Sequence, residues 1–224
     1  FNETQNQKAY LFSLREAYRF QDQQAIKTDG PSMSSGKNPA YGAYINYFLR
    51  DSTDQKVEIQ ILTQENEVVR TLKGENSAGV HRTVWDLRYE PTYKPKLKTT
   101  PPGRPWVQLN GEGWRPLVTW DLDLWRGQYG PRVVPNSYKV KLIIGEQEFV
   151  RELKVLKDPS TVGTLEDIEE QVSFSLKLRD AMNLAVTMIN DIEDIRAEIE
   201  AVLSELKSEQ DRTTAKKLLK NAKR

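Results

Sequence analysis

None of the 224 residues is cysteine, which excludes disulfides, thiolate nucleophiles and zinc–thiolate sites. That absence leaves the compartment open, because exported proteins also do without cysteine. Histidine is nearly missing too: His81 is the only one, so no imidazole pair can hold a metal or complete a catalytic dyad. Charge is balanced, 33 Lys and Arg against 32 Asp and Glu, without the basic excess that marks a nucleic-acid binder. The one clearly basic stretch, KKLLKNAKR at 216–224, suits a solvated helix end. No apolar run approaches the ~18 residues of a membrane span. The opening FNETQNQKAYLFSLREAYRF has neither a basic nor an apolar leader region and reads as the start of a piece cut from a longer chain. Catalytic signatures are absent: there is no GxSxG, HExxH, P-loop or GxGxxG, and no cofactor is expected.

What is present is strand patterning. In GVHRTVWDLRYEP (79–91), His81, Thr83, Trp85, Leu87 and Tyr89 alternate with Arg82, Val84, Asp86 and Arg88, the period of a half-buried strand. Trp85 then belongs to the core, and His81 is an ordinary strand-end histidine. YGAYINYFLR, KVEIQIL and EVVRTLK read as further strands, and SYKVKLIIGEQEFVRELKVL reads as a hairpin turning at Gly145-Glu146 in type II′ geometry. Six or more short strands without intervening helices predict an antiparallel sandwich. Residues 1–36 carry aromatics without a sustained period, which predicts a lead-in packed on a neighbour, ending in a linker near 27–39.

The sandwich is interrupted at 91–135, a segment rich in proline that holds Trp106, Trp114, Trp120 and Trp125 together with Tyr93 and Tyr129. Loops of this length are functional or packed against another body. These aromatics form a small core of their own, meet a protein partner, or stack on the apolar faces of a polysaccharide. Asp121 and Asp123, two apart, would share one face of a strand, where they could bind a cation or act as an acid pair. Without glycine-rich loop spacing or a third ligand they read as solvated carboxylates.

After Lys157 the period changes. Thr164 with Asp167 three residues on is a helix-starting capping arrangement. From there Leu178, Met182, Ala185, Ile189, Ile192, Ile195, Ile199, Val202 and Leu206 step by 4, 3, 4, 3, 3, 4, 3 and 4, the average of a coiled-coil seam. About 42 helical residues at ~1.5 Å each reach ~60 Å. Part of that stripe must meet another helix, either a return helix begun in 208–224 or a second copy of the chain.

Several of these stretches recur together. NPAYGA (38–43), AGVHRTVWDLR (78–88), GPRVVPNSYKVKL (130–142) and VLKDP (155–159) resemble, in order, strands found after the β-propeller in bacterial proteins of the sortilin-like, BNR-repeat, glycosyl-hydrolase-related group. They are also similar to the Ig-like domain of the flagellar hook-capping protein. Asn136 stands where that pattern has a turn glycine, and asparagine tolerates left-handed backbone. The resemblance implies an Ig- or fibronectin-III-like β-sandwich over 37–158, with 1–36 leading in from an upstream β-propeller and 159–224 forming a helical segment. It further implies an extracytoplasmic, non-catalytic accessory module that mediates inter-domain packing or assembly. The alternatives are a carbohydrate-binding module using the tryptophan insertion and, more distantly, a fragment of a glycoside hydrolase. Expected partners are the propeller, a homodimer through the helix, or a polysaccharide; no nucleic acid is expected.

Overall fold

A computed structural model describes residues 7–20, 39–101, 103–115, 129–205 and 213. Strands β3 (Ala43–Leu49), β4 (Val57–Leu62) and β7 (Ser137–Ile144) bury alternate side chains, as a period of two requires. With β1 (Ala9–Leu11), β2 (Ala17–Arg19), β5 (Val68–Lys73), β6 (Gly79–Trp85) and β8 (Gln147–Lys157) they form two sheets. One has the order β1-β3-β6; the other, β2-β8-β7-β4-β5, is curled into half a barrel. Every pairing is antiparallel except β2 with β8. Helix α1 (Leu165–Glu205) follows β8, so the described chain is mainly β with a long C-terminal helix.

The N-terminal segment does more than lead in. Ala9–Leu11 pairs with β3, and after five residues Ala17–Arg19 pairs in parallel with β8, so one short segment supplies an edge strand to each sheet. Leu11 and Ala17 lie in the core. Strands of three residues are too short to show a period, which is why this region looked patternless. The linker expected at 27–39 lies outside the described residues except at Pro39.

The inner faces of both sheets build one core from Ile45, Tyr47, Ile59, Ile61, Val140 and Leu142, with Trp85 at its centre. Trp85 is fully buried, stands edge-on to Tyr138 of the other sheet at 5.5 Å, and donates its indole N–H to the Arg88 carbonyl at 2.9 Å. A buried ring with its polar atom satisfied is a packing residue. Gly42, at φ 134°, lets the chain pass close beneath it: a Cβ there would sit 2.1 Å from the Trp85 carbonyl oxygen. Strand β6 stops at Trp85 instead of running on to Tyr89, because Leu87 takes a left-handed φ of 57° while remaining fully buried. Its carbonyl still accepts the Val133 N–H at 2.9 Å, so burial and pairing offset a strain of about 1–2 kcal/mol.

The β7–β8 hairpin turns through Gly145 and Glu146 between paired Ile144 and Gln147, with positive φ, 58°, at the glycine alone. That is the expected type II′ turn. Asn136 does not use the left-handed option: its φ is not positive, its side chain accepts the Ser137 N–H, and its carbonyl accepts the Val155 N–H.

The chain divides into two compact units, Phe1–Glu90 with Gly130–Leu176, and Pro91–Tyr129 with Lys177–Arg224. All eight strands belong to the first of these units, and the insertion with most of α1 to the second. Helix α1 begins in the first unit, where Ile168 and Val172 are buried.

Candidate functional site

The start of α1 is built as its sequence requires. Thr164 donates both its N–H and its hydroxyl to Asp167 Oδ2, each at 2.7 Å, and the Asp167 N–H returns a bond to Thr164 Oγ1 at 3.1 Å. These bonds, the backbone one first, hold the Asp167 carboxyl below its ordinary pKa.

Further along, α1 meets the insertion through polar side chains. Three backbone N–H groups of residues 91–99, those of Tyr93, Lys96 and Thr99, find their acceptors on side chains of the helix. Asn183 Oδ1 accepts the Tyr93 N–H at 2.8 Å, Asn190 Oδ1 the Lys96 N–H at 2.8 Å, and Glu193 Oε2 the Thr99 N–H and hydroxyl at 3.0 and 2.9 Å. Glu193 is buried and its other oxygen accepts from Arg196 Nη1, while Lys98 pairs with Asp194. Arg115 completes the fold of the insertion: its backbone pairs with that of Leu97, and its Nε donates to the Thr99 carbonyl at 3.0 Å.

Sequence reading did not single out Asn183, Asn190 and Glu193. The available signal was their spacing, since Asn183, Asn190 and Glu193 step by 7 and 3 and so share one face of the helix. The two stripes lie one residue, about 100°, apart around the helix. On the seam, Leu178, Met182, Ile189, Ile192, Ile195 and Val202 are exposed, and Ile199 is half-buried. Leu206 lies outside the described residues. The helix thus presents an apolar arc beside a polar stripe that is already occupied.

The insertion aromatics are scattered in environment. Trp106 is 72% exposed, and Tyr93 and Tyr129 are also exposed. Trp114 is half-buried and donates its indole N–H to Glu112 at 2.7 Å, in a tight turn where Asn110 Oδ1 accepts the Glu112 and Trp114 backbone N–H groups. Trp120, Trp125, Asp121 and Asp123 lie outside the described residues. His81 packs its ring 5.2 Å from that of Tyr47, and its Nε2 lies 2.7 Å from the Ser77 carbonyl oxygen.

Among the described residues no group of three or more His, Asp or Glu is arranged to hold a metal ion. No described helix is long and apolar enough to cross a membrane. Comparison of the chain with protein families, curated proteins and solved structures found no match.

Proposed function

We propose that this chain is a non-catalytic accessory module of a larger exported protein: an Ig- or fibronectin-III-like sandwich that packs on an upstream β-propeller of the same polypeptide, with α1 mediating assembly. The observation that carries the reading is the apolar arc of α1, where Leu178, Met182, Ile189, Ile192, Ile195 and Val202 are all exposed along one face. Exposed apolar stripes of this extent mark interaction surfaces. The Ig-like assignment draws support from the strand orders β1-β3-β6 and β2-β8-β7-β4-β5, in which the first strand divides between the sheets. It is also supported by Tyr138 at the start of β7, whose hydroxyl donates to the Val134 carbonyl at 2.6 Å, in the manner of the tyrosine corner of such sandwiches. The propeller and the extracytoplasmic location rest on the resemblance of the strand motifs.

Charge narrows the partner. Helix α1 carries 11 Asp and Glu against 3 Lys and Arg, so a second copy laid along it sets like charge against like, whereas a cationic surface is attracted. Light scattering of the chain, alone and mixed with the separately expressed upstream portion, tests the reading. A complex that is dissolved by Ile192→Glu with Ile199→Glu is expected. A chain that stays monomeric at high concentration and forms no complex overturns it.

A carbohydrate-binding role for the insertion is favoured by the exposure of Trp106. Tryptophan fluorescence titrated with soluble polysaccharides would respond to glycan alone in that case.

A further inference from the structure

A recess on the two-sheet unit has the chemistry of a ligand site. It is a cavity of about 670 Å³ between the β1–β2 crossover and the outer face of β3 and β6, within the ~300–1,000 Å³ range of small-molecule sites. One wall is aromatic. The rings of Tyr18 and Phe20 lie stacked at 5.8 Å and 18°, and are 42% and 45% exposed. Tyr41 backs them, its ring 6.3 Å from Phe20 and its hydroxyl locked between the Phe20 N–H at 3.0 Å and the Tyr18 carbonyl at 3.1 Å. The other wall is charged. Arg82 lies over the Tyr44 ring at 5.2 Å and donates Nε to Asn46 Oδ1 at 2.8 Å, which aims the guanidinium and leaves its two terminal amino groups outside that bond. Arg15 and Glu16 line the same recess.

We propose that this recess binds an acidic sugar, a hexuronate unit of an anionic oligosaccharide. A sugar ring offers an apolar C–H face to Tyr18 and Phe20 while its hydroxyls satisfy Glu16 and the arginines. An apolar helix or peptide would strand three charged side chains away from water without partners. An inorganic anion would leave the aromatic wall unused. Two cations against one carboxylate select a ring that carries a carboxylate, which the planar fork of an arginine can grip with paired hydrogen bonds. The site uses no residue of the insertion or of α1, so it stands or falls apart from the assembly reading.

Calorimetric titration of the whole chain with an oligogalacturonate, and with a neutral cello-oligosaccharide of equal length, tests it. Binding of the acidic oligomer that weakens with salt, and exceeds the neutral one by roughly tenfold, is the expected result. Arg82→Gln should bring the acidic affinity down to the neutral level. Phe20→Ala should weaken both by about tenfold through lost stacking. Its ring is well exposed, so circular dichroism should show the fold unchanged; Arg15→Gln offers a second variant outside any core. Trp106→Ala should change neither affinity. Failure to bind the acidic oligomer, equal affinity for both, indifference to Arg82→Gln and Phe20→Ala, or abolition by Trp106→Ala would each overturn the proposal.

Discussion

Gly42 and Gly79 share an unusual backbone angle, with φ of 134° and 129°, yet their surroundings separate them. A side chain at Gly42 would meet the Trp85 carbonyl at 2.1 Å, whereas nothing lies within 4 Å at Gly79. Gly79→Ala should therefore lose only the strain, about 1–2 kcal/mol. Gly42→Ala must also push β3 off the Trp85 backbone and should lose about 3 kcal/mol or more. Urea melts of the two variants check the difference, and equal midpoints would contradict it. A second residue-scale expectation concerns alkali. Burial pushes the Tyr138 phenol far above its ordinary range, and raises Tyr47 as well. Both stay neutral in the folded chain, so above the unfolded phenol pKa of about 10 the unfolded chain releases protons that the folded one keeps. The contribution of these two phenols to stability is therefore full below about pH 10 and falls as pH rises beyond it. Tyr138→Phe should lose about 1 kcal/mol at neutral pH, from the bond to Val134, and show a shallower alkaline decline. A melt series across pH reads both effects.

At the scale of the element, α1 divides its labour between adjacent stripes. One stripe supplies side-chain acceptors to backbone amides of the insertion, and the buried Glu193 is the pivot of that ladder. Glu193→Ala leaves the Thr99 donors and Arg196 without their partner in a buried place, a loss of about 3 kcal/mol. Hydrogen exchange should report it locally, with the Thr99 amide accelerated by roughly a hundredfold. Asn190→Ala should release the Lys96 amide and leave Thr99 protected. Unchanged protection at Thr99 in the Glu193 variant would mean that the insertion is held by something other than this ladder.

For the whole molecule, the acidity of α1 makes association depend on salt. A pair of these helices meeting through Ile192 and Ile199 gains apolar burial against charge repulsion, and salt screens the repulsion, with a Debye length of ~10 Å at 0.1 M. Light scattering should then show self-association rising with ionic strength, while a complex with a cationic partner weakens. Association that is indifferent to salt would mean the contact surface lies off the helix.

Strand alternation, the core role of Trp85, the type II′ turn at Gly145 and the capped start of α1 were all legible in the sequence, because each is set by residues within a few positions of one another. Trp85, Tyr47 and Ile59 declare themselves core by period alone. The division of residues 9–19 between two sheets was not legible, since three-residue strands carry no period and pairing partners more than a hundred residues away leave no local mark. Nor was the ladder from Asn183, Asn190 and Glu193: hydropathy counts such side chains as solvent-facing, and only the tertiary fold brings unpaired amides from the insertion to them. The recess between Phe20 and Arg82 belongs to the same class, because its two walls are 62 positions apart and one stands on β6 while the other follows β2, which pairs in the other sheet. Sequence by itself determined which segments become strand or helix, through short-range sterics and the burial of alternate side chains. Tertiary structure alone decided which polar groups share a surface, because hydrogen bonds and cavities depend on distances that chain order does not encode.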